Sequence, residues 1–154
     1  MQDDGGFDEA EDRAFDVIRA AESRLGDPHF GGAWLDRSNG RPPSIGIAAV
    51  DPSQADVGAI LALSRPSGWR ISVSLVRYSR AQLIAFSEHL APPNTGAASG
   101  YGWDPRWNRV VVWLKTLDAE TVRYFRERIP DDALQFVVEP GGWFAVADAD
   151  VHGQ

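Results

Sequence analysis

Apolar residues near the N-terminus recur at the spacing of a helix. Between Asp8 and Leu25 they are separated by three or four positions, which places them on one helical face. They are Ala14, Phe15, Ile18, Ala21 and Leu25. Acidic residues fill the first turns, where they oppose the positive end of the helix dipole, and Gly26 followed by Asp27-Pro28 ends the segment. The pattern predicts an N-terminal amphipathic helix with an acidic outer face.

After this helix the apolar pattern changes to that of strands. Residues 33–36 and 44–50 flank a polar turn at 38–40 and predict a hairpin. Residues 70–76 alternate between apolar and polar with period two, as a half-buried strand does. The segment therefore predicts two paired strands followed, after an intervening helix, by a third.

The intervening helix has a recognisable start. Asp51 can act as its N-cap, with Pro52 at the first helical position. Its buried face consists of Val57, Ile60 and Leu61. A similar signal occurs later, where Asp118 caps a helix and Leu117 and Val122 are spaced as a hydrophobic staple. The core face of this second helix is Val122, Phe125 and Ile129.

The strands around the second capped helix repeat those of the first. Residues 101–104 and 110–114 predict a second hairpin, and residues 134–139 predict a closing strand. A helix over residues 79–90 joins the two halves. The sequence therefore predicts an α+β fold of two similar strand-strand-helix-strand halves with antiparallel sheets, joined by this helix and preceded by the N-terminal one.

The spacing of matching residues supports an internal duplication. Asp36 corresponds to Asp104 and Asp51 to Asp118, at offsets of 68 and 67 residues. We expect an acidic N-terminal segment over 1–29. A single domain over 30–147 should follow, made of two pseudo-repeats at about 30–77 and 100–147, with a loop at 91–100, an edge strand at 143–147 and a flexible tail over 148–154.

Charge is concentrated at the N-terminus. The net charge is −7, of which residues 1–30 contribute −6. A net acidic surface repels phosphate backbones, so nucleic acid is not an expected partner. No apolar run is long enough to span a membrane, and no membrane association is expected. The N-terminus lacks a signal peptide, which predicts a cytoplasmic location for the chain as written, or secretion if a signal peptide has been removed.

Residues with catalytic potential are few and scattered. The chain has no cysteine, which excludes disulfides, thiolate metal sites and a cysteine nucleophile, and it predicts no cofactor or metal. His29, His89 and His152 lie in a turn, a helix end and the tail, without metal-site spacing. Asp36 and Asp104 each precede a turn, where an aspartate ordinarily accepts backbone N–H bonds. We therefore expect a protein that is not an enzyme.

Tryptophan is abundant, with six residues in the chain. Trp34 and Trp103 occupy matching places in the repeat and are predicted to be core. In the run 110–114, Val111 and Trp113 have the opposite parity to Val110, Val112 and Leu114. If the even-numbered residues face the core, the odd ones look outward and form an interface; alternatively, helices cover both faces of the sheet. The candidate partner-binding residues are Trp103, Trp107, Arg109, Val111 and Trp113.

Three motifs occur in a distinctive order. They are residues 30–36 (FGGAWLD), then residues 76–79 (VRYS) opening a helix, then Trp103-Asp104 followed by residues 108–112 (NRVVV). This order resembles the pro-segments of bacterial secreted chymotrypsin-like proteases, of the streptogrisin and α-lytic type, over roughly residues 30–139. The resemblance implies an α+β chain that binds a partner protein through a sheet edge and acts as the folding chaperone and inhibitor of its protease. The sequence as given contains no Gly-Asp-Ser-Gly nucleophile segment, so we expect the fold and the protein binding to carry over, without the chaperone role in cis.

The sequence thus predicts a non-catalytic, prodomain-like module that binds another protein, protease-like or toxin-like, through a sheet edge or the aromatic face of the second hairpin. A second class of function fits the N-terminal charge. In that alternative the chain is a small acidic immunity-type protein or inhibitor, steered by its carboxylates onto a basic toxin or nuclease.

Overall fold

The computed structural model of the chain describes residues 5–37 and 42–139 and divides into two compact units, 1–81 and 82–154. The helices are α1 (Gly5–Leu25), α2 (Gln54–Leu61), α3 (Ser64–Ser67), α4 (Arg80–Ser87) and α5 (Ala119–Arg126). The strands are β1 (Phe30–Asp36), β2 (Ser44–Ala49), β3 (Arg70–Leu75), β4 (Ala98–Asp104), β5 (Arg109–Leu114) and β6 (Leu134–Val138). A single 3-10 turn, Asp131–Ala133, precedes β6. The predicted α+β fold is confirmed.

The predicted N-terminal helix, α1, provides one wall of the core of the first unit. Its buried side chains pack on the sheet and include Ala14, Val17, Ala21 and Leu25. Phe15, which the spacing places on the same apolar face, is instead 45% exposed. Val17 satisfies the same three- and four-residue spacing, so the buried stripe lies on that side of the helix. Because α1 packs into the core, the acidic segment is an integral part of the first unit.

The first unit has a three-stranded sheet in the order β1-β2-β3. β1 and β2 form the predicted antiparallel hairpin, whereas β3 runs parallel to β2. The prediction of antiparallel sheets is therefore wrong for the third strand. A helical crossover returns the chain to the end of the sheet where it began, so the strand that follows runs parallel to the one before it.

The second unit repeats this topology, in the order β4-β5-β6 with β6 parallel to β5. The ring of Phe125 on α5 lies 5.4 Å from Tyr101 and 6.2 Å from Phe136, centroid to centroid. Both rings flank Val112 across the sheet, so α5 packs on the face that carries Val112. The same face of β5 carries the buried Val110 and Leu114.

Matching hydrogen bonds show that the two halves share one plan. Both hairpins have an irregularity at the start of the first strand, after Phe30 and after Ala98. The residues that directly follow the two third strands also form matching hydrogen bonds. The N–H of Val76 donates to Ala49 O (2.9 Å), and the N–H of Glu139 donates to Leu114 O (2.8 Å). The structural offset is 68 residues in the first strand, 65 in the second and in the capped helix, and 63 in the third.

The two capped helices correct one pairing of the repeat. Ser53, not Asp51, caps α2, and its hydroxyl accepts the N–H of Asp56 at 3.0 Å. Asp51 has a positive φ of 44° in the turn before it, a conformation that aspartate tolerates. Asp118 caps α5 as predicted, so its counterpart is Ser53. Leu117 is exposed, and the predicted staple onto Val122 therefore does not bury it.

Several boundaries differ from those expected. The joining helix is shorter, Arg80–Ser87, and β4 begins at Ala98 inside the expected loop. The chain forms two compact units where the sequence suggested one domain. The turn at 38–40, the edge strand at 143–147 and the tail at 148–154 lie outside the described residues. Among the residues that are described, no helix is long and apolar enough to cross a membrane.

Candidate functional site

The five candidate partner-binding residues predicted from the sequence do not form one exposed face. Trp103 pairs with Val110 and shares the sheet face covered by α5, whereas Val111 and Trp113 lie on the opposite face. Val111 is completely buried, so the expectation that it looks outward is wrong. Alternation along a strand predicts which residues share a face, but it does not reveal whether that face is covered.

The remaining candidates lie around the turn of the second hairpin. Trp107 is half-buried, and Arg109 is exposed and donates from Nη1 to Gln135 Oε1 at 3.1 Å. Asp104 Oδ1 accepts the N–H groups of Arg106 (2.8 Å) and Trp107 (3.2 Å), which is the predicted turn chemistry. The carboxylate therefore stabilises the turn.

Trp34 and Trp103 are not counterparts in the structure. Trp34 pairs with Gly46, and the place of Trp34 in the second unit is taken by Gly102. A Cβ at Gly46 would lie 2.1 Å from the Trp34 ring, so the indole lies directly over this glycine. Leu35 is the counterpart of Trp103, one residue from the match that the sequence suggested.

The histidines and acids gather into no metal-binding cluster of three or more within residues 5–37 and 42–139. His29 is exposed, with Nδ1 2.8 Å from the carbonyl oxygen of Val50. His89 is exposed just beyond α4, with a φ of 60°. These residues are placed in turns and at helix ends, as the sequence indicated.

A different feature of the first unit emerges from its exposed apolar residues. An apolar groove of about 520 Å³ lies between α2 and β3 and is lined by Pro52, Gln54, Val57, Gly58, Leu61, Val73 and Leu75. Leu75 is 76% exposed and Leu61 43%. We call this the α2–β3 groove. Sequence reasoning missed it because it assigned Leu61 to a buried face and Leu75 to a half-buried strand.

The groove borders an open sheet edge. β3 pairs only with β2 among the described strands, and its register is unbroken over six residues. The N–H of Val76 points to β2, and backbone groups alternate sides along a strand, so the N–H and C=O of Ile71, Val73 and Leu75 point away from β2. These are also the residues whose side chains face the groove and core.

The position of α2 explains why the groove is open. Ser53 fixes the first turn, and Ile60 anchors the helix in the core. Val57 and Leu61 then lie on the flank toward β3. Gly58 adds no side chain between them, and a Cβ there would meet no atom within 4 Å. The groove is thus wide in the middle of the helix.

The second unit exposes apolar residues at the corresponding place. With the offsets given above, Leu117 corresponds to Pro52 and Val138 to Leu75, and these residues are 74% and 44% exposed. Five large apolar residues are exposed in the described chain, and four of them lie in this region of the two repeats. They are Leu61 and Leu75 in the first unit and Leu117 and Val138 in the second. Arg123 and Arg126 stand where the first unit has Gly58 and Leu61. In the second unit, two charged side chains thus replace residues that line the α2–β3 groove of the first unit.

Comparison with known proteins adds no assignment. No protein-family model matches the chain, and no curated protein does. The likeness to protease pro-segments stays a hypothesis based on the order of the sequence motifs.

Proposed function

We propose that the protein is a non-catalytic module that binds a partner protein by adding a strand to an open sheet edge, as the pro-segments that its motifs resemble are expected to do. The observation that carries this proposal is the open edge of β3 beside the α2–β3 groove. Backbone groups at the edge supply affinity, and the groove supplies side-chain specificity. In this function the partner is protease-like or toxin-like, and the module acts as its inhibitor.

The absence of edge protection supports the proposal. Edge strands are commonly blunted by proline, bulges, inward charges or a very short length. β3 has six residues without proline, its register to β2 has no bulge, and Arg70 is its one charged residue. An unprotected edge with an exposed leucine invites pairing with another chain. A specific partner would make that pairing useful.

The acidic-inhibitor alternative has weaker support. Several carboxylates of α1 are paired within the first unit: Glu11 accepts from Arg37 at 2.5 Å, and Glu22 pairs with Arg80. Such pairing reduces the field available to steer a basic partner. The edge of β3 and its groove have no role in this alternative.

A matched pair of variants tests the proposed function. Leu75→Asp places a charge in the groove, whereas Leu117→Asp changes a leucine of nearly equal exposure in the second unit. We expect wild type and Leu117→Asp to retain the same partner from an extract of the source cells, and Leu75→Asp to bind the purified partner at least about tenfold more weakly, because a buried unpaired charge is costly.

Two results would contradict the proposal. One is equal binding by all three proteins. The other is loss of binding on neutralising exposed acids of α1 (Glu9→Gln with Asp12→Asn), together with an association rate that falls steeply with salt, which would favour the acidic inhibitor.

A further inference from the structure

Resting on the function proposed above, we propose that the segment bound at β3 is an extended strand with apolar side chains on one face, polar side chains on the other, and carboxylates at its ends. Two features of β3 indicate this occupant: the distribution of its residues between the two faces of the sheet, and the charge beside its open edge.

The two faces of β3 differ in polarity. Ile71, Val73 and Leu75 face the side of α2, and the last two line the groove. Arg70, Ser72 and Ser74 lie on the other face, where Arg70 and Ser72 are exposed. Side chains of a strand added at the edge would alternate in the same way. Every second residue would enter the groove and should be apolar, and the others should be polar.

The charge around the edge is positive although the protein is acidic. Residues 50–81 contain four arginines and two aspartates. Arg24 donates to Asp56 at 3.1 Å and Arg80 pairs with Glu22, so neither of these two ion pairs adds net charge. Arg70 begins β3, is exposed and forms no ion pair with any described residue, and Arg77 lies just beyond the end of β3, with its guanidinium over the ring of Tyr78. Carboxylates on the bound segment complement these charges.

The same charge disfavours a second copy of the chain as the occupant. Pairing β3 with another β3 would satisfy the backbone and bury both copies of Leu75. It would also bring a second Arg70 and a second Arg77 to the same edge, and like charges close together across strands are destabilising. A partner strand that carries acids avoids this repulsion.

Synthetic peptides provide the test. The first probe is a fluorescently labelled octapeptide, Glu-Val-Thr-Val-Thr-Val-Thr-Glu, whose end residues are seven positions apart, as Arg70 and Arg77 are. The second has lysine in place of both glutamates, and the third has threonine in place of the valines. Binding to the full chain is measured by fluorescence anisotropy at low ionic strength, where charge contributes most.

We expect the first peptide to bind about fivefold more tightly than the lysine peptide, which corresponds to about one to two cross-strand charge pairs, and the threonine peptide not to bind. Arg70→Glu should reverse the preference between the first two peptides. Lys115→Glu, a charge reversal at an exposed site of the second unit, should leave the preference unchanged.

Equal binding of the acidic and lysine peptides would overturn the inference, as would failure of all three to bind. So would a concentration-dependent dimer of the wild type that Leu75→Asp abolishes, because the occupant would then be a second copy. Each of these results leaves the partner experiment with Leu75→Asp and Leu117→Asp unaffected. Failure of the proposed function is therefore distinguishable from failure of this inference.

Discussion

Gly58 is the residue on which the proposed role of the α2–β3 groove depends most directly. It lies inside α2, where glycine is less favourable than alanine by about 1 kcal/mol. Its φ is not in the left-handed region, and a Cβ at this position would contact nothing. Neither packing nor backbone geometry therefore requires glycine here, whereas an open groove does.

Gly58→Leu should separate stability from binding. A leucine in the helix is favoured over glycine by about 0.8 kcal/mol, so the free energy of unfolding should rise by roughly that amount in urea denaturation. The same side chain would fill the groove, and affinity for the partner should fall at least about tenfold. Because the variant is more stable, lost binding cannot be attributed to misfolding. Unchanged affinity would show that the groove is not used.

Asp118 makes the stability of the second unit dependent on pH. Hydrogen bonds from the Thr121 hydroxyl and backbone N–H, and from the Thr95 hydroxyl, lower the pKa of this carboxyl below its ordinary value of 3.8, and desolvation opposes them. A carboxyl whose pKa is lowered by folding stabilises the folded state, and this contribution is complete at pH values above the ordinary pKa of the group. This stabilisation is lost as the pH falls through the pKa of the folded protein.

Two cap variants test this behaviour. We expect Asp118→Ala to destabilise the protein at pH 7, and the difference from wild type to shrink below about pH 4. Ser53→Ala should cost about 1 kcal/mol at both pH values, because a serine hydroxyl does not titrate. The midpoints of urea unfolding, measured for wild type and both variants at pH 7 and pH 3, check these two predictions. A difference for Asp118→Ala that is the same at both pH values would contradict the assignment.

At the scale of elements, periodicity predicted helix and strand types well, because each element has a run that fits one period. β5 shows where this reasoning stops. By alternation, Val110 and Val112 face one side of the sheet and Val111 faces the other, but all three are completely buried. Burial of the second face depends on residues distant in sequence, which a local pattern does not contain. The direction of β3 and β6 is likewise set by the crossover and not by the strand sequence.

The packing of α5 gives a prediction at this scale. Phe125 is completely buried and contacts Tyr101, Tyr124 and Phe136, so it joins the helix to β4 and β6. We expect Phe125→Ala to destabilise the protein by about 3–5 kcal/mol through cavity formation. Phe15→Ala is the control, because the ring is largely exposed and its loss should cost much less. Similar losses in thermal denaturation would contradict the described core.

For the whole molecule, the duplication could be predicted from Asp36 and Asp104, but its exact register could not. The second hairpin turn is three residues shorter, which changes the offset from 68 to 65 and displaces the match at Asp51. Trp34 precedes the turn, and its expected match with Trp103 is one residue away from the observed register. The candidate site was missed for a related reason. Leu61, Gly58 and Leu75 are ordinary residues for a helix or a strand, and only the fold brings them together.

The integral role of α1 gives a prediction for truncation. Deleting residues 1–28 removes Ala14, Val17, Ala21 and Leu25 from the core of the first unit. We expect the first unit to lose its structure, with loss of dispersed methyl resonances from Ile45 and Ile47 in NMR spectra. A truncated chain that keeps those resonances would show that α1 is a separate acidic arm.

Amide hydrogen exchange shows whether the partner pairs with the edge of β3. The partner retained by wild type and Leu117→Asp is added at about ten times its Kd, and amide exchange is compared with and without it. We predict that the amides of Ile71, Val73 and Leu75, which point away from β2, exchange about tenfold more slowly in the complex. Unchanged exchange in β3, with protection instead at the β4–β5 hairpin or along α1, would contradict the claim that this protein binds through the edge of β3.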